Sequence, residues 1–96
     1  MLILVTYDVS LDTKDGPKRL RRVAKVCTDY GVRVQNSVFE CVVDQAQYLL
    51  LKSRIGKEIN EKKDSVRFYR LGNHYTEKIE TLGIDTAIQV EAPLIF

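Results

Sequence analysis

The chain has one histidine, His74, and two cysteines, Cys27 and Cys41, and these scarcities remove several chemistries at once. The cysteines lie far apart and form no CxxC pair, and no Cys or His sits at metal-ligand spacing, so a zinc module or dithiol redox motif has nothing to work with. There is no DxD or HExxH, no glycine-rich phosphate loop, no nucleophile elbow and no Cys/His pairing, so nucleotide hydrolysis by those routes has no support. His74 reads as a surface residue. No stretch approaches the ~20 apolar residues of a membrane span, and the opening apolar run is shorter than a signal peptide's and lacks a basic lead-in. The expectation is a cytoplasmic protein with no membrane partner, its thiols reduced and packed as small hydrophobes.

What is present fits one small domain over 1–96, with 45% hydrophobic residues, enough for a core and against global disorder. The net charge of +2 decides little. Its distribution says more: Lys14, Lys18, Arg19, Arg21, Arg22 and Lys25 stand against the single acid Asp15 between positions 14 and 25.

The run from Met1 to Val5 is unbroken apolar and ends in Thr6-Tyr7-Asp8. This predicts a buried strand over 2–8 that delivers a carboxylate to its C-terminal end, where α/β sheets tend to place chemistry. Both of its faces are largely apolar, so both need a cover. A loop follows, then Gly16-Pro17, with proline suited to a first helical turn. Leu20, Val23, Ala24, Cys27 and Tyr30 recur at helical spacing, and Gly31 takes the position of a C-cap, giving a helix over 17–30. On this reading Arg19, Arg22 and Lys25 lie off the apolar stripe, with Lys18 and Arg21 at its margins.

Residues 32–43 are β-rich, interrupted by Gln35-Asn36-Ser37, which predicts two strands and a tight turn or bulge. Asp44 and Gln47 have capping-box spacing ahead of a helix over 45–60, on which Tyr48, Leu51, Ile55 and Ile59 form the apolar side. Residues 60–64 form a charged loop, and 65–71 a fourth strand closed by Gly72-Asn73. The order β-α-β-β-α-β is that of an α+β, ferredoxin-like domain. Residues 86–90 alternate weakly as a fifth strand, and the apolar end Leu94-Ile95-Phe96 is expected to dock, with 86–96 lying on a second subunit.

Two readings fit Asp8. It is a Mg²⁺ ligand, or it is a carboxylate hydrogen-bonding the backbone where a strand exits to a loop. One aspartate holds Mg²⁺ poorly, since the ion takes one or two carboxylates plus waters or phosphates. A twofold dimer with its sheets face to face would bring in a second Asp8 and cover the spare sheet face. The basic helix matches phosphate contacts on nucleic acid or is the solvated side of an amphipathic helix. Arg33 can meet a phosphate near the turn that holds Ser37, and Phe39 is either a base-stacking platform or core.

Four segments in order, Leu-Val-Thr-Tyr-Asp-Val at 4–9, Lys-Arg-Leu-Arg-Arg-Val-Ala-Lys at 18–25, Arg-Val-Gln-Asn-Ser-Val-Phe-Glu-Cys at 33–41 and Arg-Phe-Tyr-Arg-Leu-Gly at 67–72, closely resemble the small CRISPR-associated adaptation proteins, the Cas-two family, and its type I-C-like branch. The resemblance runs from residue 1 to Pro93-Leu94-Ile95-Phe96. It implies a ferredoxin-like symmetric homodimer with sheets face to face and a C-terminal strand added to the partner subunit's sheet. It also implies a Mg²⁺ ion, with Mn²⁺ as the second candidate, bound by Asp8 at the dimer interface, and metal-dependent endonuclease activity on RNA or double-stranded DNA in new-spacer acquisition. The implied alternative is a non-catalytic scaffold that binds DNA and the CRISPR integrase, the Cas-one family. Tyr7, Asp8, Arg19, Arg33, Ser37 and Phe39 fall where the family places functional residues. With Lys18 and Arg22 of the basic helix, all of these except Asp8 form the expected nucleic-acid-binding set.

Overall fold

The structure, a computed structural model, describes residues 1–84. The expected fifth strand and the docking segment 86–96 lie outside the described residues. The elements follow in the order β1 (Leu2–Asp8), α1 (Gly16–Tyr30), β2 (Val32–Gln35), β3 (Val38–Val42), α2 (Gln45–Glu58) and β4 (Ser65–Gly72), with a short 3₁₀ turn over Thr76–Lys78. The strands make one antiparallel sheet in the order β2-β3-β1-β4. Each of β1 and β3 is followed by a helix whose next strand lands one place beyond its neighbour, which is the ferredoxin-like arrangement.

Alternation along β1 divides the sheet. Ile3, Val5, Tyr7 and the following Val9 point to the helices, where they pack with Phe39 and Cys41 of β3, with Val23, Val26 and Cys27 of α1, and with Tyr48, Leu51 and Ile55 of α2. This is the core, and each fully buried aliphatic or aromatic side chain in it contributes about 1.5–3 kcal/mol. Both cysteines are free and buried, as small hydrophobes; burial pushes the Cys27 thiol up to about 12 and the Cys41 thiol up to about 11. The opposite face carries rows set by register. Leu4 lies between Glu40 and Tyr69, Thr6 between Val38 and Arg67, and Asp8 beside Ser65. No helix among the described residues is long and apolar enough to cross a membrane.

Several local devices follow the sequence closely. Pro17 sits in the first turn of α1. The capping box of α2 is complete: the Gln47 N–H donates to Asp44 Oδ1 at 2.8 Å and the Asp44 N–H to Gln47 Oε1 at 3.0 Å. Gly72 closes β4 with φ +76, the left-handed region that favours glycine. Gly31 differs. It ends α1 in an extended conformation, φ −164, with no need of a left-handed cap. What requires glycine there is close approach: a Cβ would meet the Glu40 carbonyl oxygen and, at 2.6 Å, Cys41 Sγ.

The stripe of α1 is rotated from the expected one. Gly16, Arg19, Val23, Val26 and Cys27 are its buried residues, while Leu20 and Ala24 are only half-buried. Arg19 stands four residues before Val23 and seven before Val26, so it shares their inward face. The apolar spacing predicts it outward, and packing turns it in.

Candidate active site

Asp8 is the last residue of β1 and is exposed on the open sheet face. Its carboxylate makes no hydrogen bond or ion pair with the described residues. A cavity of about 250 Å³ opens beside it, lined by Thr6, Tyr7, Asp8, Ser37, Val38, Ser65 and Arg67. The wall is built from three segments. The Ser37 carbonyl, in the β2–β3 turn, accepts from the Tyr7 N–H at 3.1 Å, which draws the turn to the end of β1. Ser65 begins β4 directly opposite Asp8, and Arg67 lies opposite Thr6 on the same face. Arg67 Nη1 donates to Tyr69 Oη at 3.1 Å, which fixes one side of that guanidinium. An exposed carboxylate, three hydroxyl side chains and a guanidinium therefore share one concave patch of the sheet.

Among the described residues, Asp8 is the one carboxylate that lines this patch. Among the described residues there is no group of three His, Cys, Asp or Glu side chains that could hold a metal ion. The donors present are all oxygens, which suits a hard cation that keeps several waters and takes one or two carboxylates.

The seven residues expected to bind nucleic acid are not all on a surface that nucleic acid can reach. Tyr7 and Phe39, 6% and 1% exposed, lie in the core on the helix side of the sheet, their ring centroids 6.2 Å apart in a stacked pair. Neither ring is available to a base. The Tyr7 hydroxyl is buried without a hydrogen-bond partner among the described residues; burial pushes its pKa above the ordinary value and the Arg33 guanidinium pulls the other way. Arg33 is exposed, with its guanidinium 5.1 Å from the centroid of the Phe39 ring. Ser37 is half-buried beside Asp8. Lys18 and Arg22 are exposed on α1, and Arg22 is 3.9 Å from Glu58.

Arg19 is the clearest departure. It is 6% exposed, and its partner Asp64 has a side chain that is 0% exposed. Nε donates to Asp64 Oδ2 at 2.9 Å, Nη1 to Thr13 Oγ1 at 3.0 Å and Asp15 Oδ1 at 2.6 Å, and Nη2 to Ser10 O and Asp64 Oδ1, both at 3.2 Å. A guanidinium has five N–H bonds, and each has an acceptor inside the protein, leaving none for a phosphate. The Arg19 guanidinium holds the Asp64 carboxyl at about 2, well below the ordinary range, against the opposing effect of burial and with help from the Asn60 and Ser10 backbone N–H groups.

Residues 1–79 match the family model described as CRISPR associated protein Cas2. The chain belongs to the Cas2 family. It is 55% identical over 96 residues to the CRISPR-associated endonuclease Cas2 of Halalkalibacterium halodurans, covering 100% of both chains. It is 53% identical over 95 residues to the CRISPR-associated endoribonuclease Cas2 of Nitratidesulfovibrio vulgaris, covering 99% of this chain and 93% of that one. The crystal structure of Streptococcus pyogenes Cas2 at pH 6.5 is similar with a TM-score of 0.76 and 57% sequence identity, over 86% of this chain and 100% of that one. These matches establish the Cas2 family; the type I-C-like branch within it stays an expectation.

Asp64 is the residue that sequence reading of this Cas2-family chain missed, because it stands in a charged loop with Glu61, Lys62 and Lys63 around it. A signal was available at the other end of the pair. An arginine at helical spacing from Val23 and Val26 faces inward, and an inward arginine needs a buried acid.

Proposed function

We propose that the protein is a metal-dependent endonuclease of a CRISPR system that takes part in new-spacer acquisition, working as a homodimer with the open sheet faces together. The observation that carries this reading is Asp8: an exposed carboxylate at a strand end, with no partner among the described residues, in a concave patch of hydroxyls and one guanidinium. The names of the relatives, endonuclease and endoribonuclease, support the same reaction class. The open face carries Leu4, Val38, Tyr69 and the 60%-exposed Val42, apolar surface that a second copy would cover.

In the dimer the two Asp8 carboxylates would hold one Mg²⁺, or Mn²⁺, between them. When bound, the ion supplies Lewis-acid activation of the scissile phosphate and lowers the pKa of an attacking water. The chain's own residues orient and neutralise. Arg67 stands on the same face as Asp8, where its charge opposes that of a phosphodiester, and the Ser37 and Ser65 hydroxyls offer hydrogen bonds to phosphate oxygens. Lys18, Arg22 and Arg33 remain the exposed cations for the flanking strand, and such contacts position nucleic acid without reading its sequence.

The test is cleavage of linear double-stranded DNA and of single-stranded RNA with Mg²⁺, Mn²⁺ or EDTA, comparing wild type with Asp8→Ala. Both proteins are first shown to be folded by circular dichroism and dimeric by sedimentation. Metal-dependent cutting that Asp8→Ala loses is the expected outcome, and its substrate arm names DNA or RNA. Equal cutting by Asp8→Ala would remove Asp8 from the chemistry.

A second reading, a non-catalytic dimeric scaffold for DNA and the CRISPR integrase of the Cas-one family, is favoured by one observation. Lys14, Lys18 and Arg21 are exposed and make no ion pair among the described residues, leaving cationic surface that needs no chemistry at Asp8. A folded wild type that binds DNA tightly and cuts neither substrate would select it.

A further inference from the structure

The Arg19–Asp64 pair ties together the two backbone segments that flank Asp8. Ser10 lies two residues beyond Asp8, and both of its backbone groups are held by the pair: its N–H donates to Asp64 Oδ1 at 3.0 Å and its carbonyl accepts from Arg19 Nη2 at 3.2 Å. On the neighbouring strand, Asp64 immediately precedes Ser65, the residue opposite Asp8 in the β1–β4 register. The same carboxylate accepts from the Asn60 N–H at 2.8 Å, closing the loop that leads into β4. Arg19 reaches the third segment through Thr13 and Asp15 at the start of α1. The exit of β1, the entry of α1 and the entry of β4 thus meet at one buried ion pair.

Gly16 adds a second constraint on the same backbone. A Cβ there would meet the Ser10 carbonyl oxygen and, at 2.9 Å, Leu11 Cα. The first turn of α1 is therefore pressed against the backbone of Ser10 and Leu11. Breaking a buried ion pair by removing one partner leaves an uncompensated buried charge, so the arrangement has one well-defined geometry.

We propose that Arg19 and Asp64 are positioning residues for Asp8: they fix its carboxylate through the backbone on both sides and make no contact with nucleic acid. This rests on the nuclease reading above, and it changes the role expected of Arg19 from phosphate ligand to internal clasp. Displacement of a reacting group by about an ångström costs about a hundredfold in rate. Loss of the clasp accordingly lowers kcat and weakens metal binding, while the affinity for nucleic acid, set by exposed cations, stays where it was.

The experiment compares wild type, Asp8→Ala, Asp64→Asn, Arg19→Lys and Thr13→Val, the last removing one of the five Arg19 hydrogen bonds and leaving the ion pair in place. Each variant is assayed well below its own melting temperature. Four quantities are read: kcat and KM for the cleaved substrate, Mn²⁺ affinity by electron paramagnetic resonance, the salt dependence of DNA and RNA binding, and hydrogen exchange of the Ser10 amide without metal. In Asp64→Asn and Arg19→Lys the expected result is kcat down about 10- to 100-fold, weaker Mn²⁺ binding, faster Ser10 exchange, and unchanged KM and salt slope. Thr13→Val moves kcat and exchange the same way by less, so the proposal stays testable if the ion-pair variants do not fold.

A phosphate-binding Arg19 gives the opposite pattern. Arg19→Lys would raise KM and flatten the salt slope, and Asp64→Asn, by freeing the guanidinium, would tighten nucleic-acid binding. Either result overturns the proposal, as does unchanged kcat and Mn²⁺ affinity in a folded Asp64→Asn. A wild type that neither cuts nor binds Mn²⁺, or cutting untouched by Asp8→Ala, overturns the nuclease reading itself and the positioning role with it.

Discussion

Asp8 and Asp64 are two carboxylates of one chain in opposite circumstances. The first ends a strand in the open with no partner among the described residues; the second is sealed under loops and accepts four hydrogen bonds. The difference predicts different responses to acid. Asp64 has its folded pKa depressed to about 2, against about 3.9 in an unfolded chain. A depressed carboxylate contributes stability that is complete above the unfolded pKa and is lost as pH falls through the folded one. The melting temperature of wild type should therefore drop between about pH 4 and pH 2, and that of a folded Asp64→Asn should drop less over the same window. Thermal melts at fixed ionic strength check this, and parallel curves would show that the pair contributes nothing to acid stability.

At the scale of elements, patterns that depend on nearest neighbours were read correctly. The apolar run gave β1 its bounds, Pro17 the start of α1, and Asp44 with Gln47 the start of α2. Asp44→Ala removes one half of the capping box and is expected to cost about 1 kcal/mol, measured as a shift of the urea midpoint at constant slope. A shift near zero would mean that tertiary packing alone holds that helix end. Spacing alone sets the α1 stripe one step out of phase, because Leu20 and Ala24 satisfy helical spacing as well as Gly16, Arg19 and Val26 do. Only the packing against α2 and β3 decides which of the two edges faces in, and it selected the edge that contains a charge.

For the whole molecule, the open sheet face is where the candidate site lies. Helices cover one side of the sheet, while the other presents Asp8 and exposed apolar residues together. If two copies close on this face, Val42→Glu buries a charge in the apolar contact and yields a monomer by sedimentation, with the circular dichroism of the fold retained and metal-dependent cleavage lost. A Val42→Glu protein that stays dimeric would place the subunit contact elsewhere. The order of the strands brings Ser37 from the β2–β3 turn and Ser65 and Arg67 from β4 to Asp8, a convergence that no local segment contains.

The sequence by itself determined the alternation of elements, the ferredoxin-like order and the position of Asp8 at a strand end, because apolar periodicity, proline and capping chemistry act over a few residues. It also carried the family, since four motifs in order are a property of the chain and not of its packing. Tertiary structure alone decided which edge of α1 faces in and which rings of the sheet are buried. It put Tyr7 and Phe39 in the core and turned Arg19 from the surface to Asp64, a carboxylate 45 residues away along the chain. The physical reason is that burial and ion pairing depend on what lies across the core, and a charge takes the interior only when the fold brings it a partner.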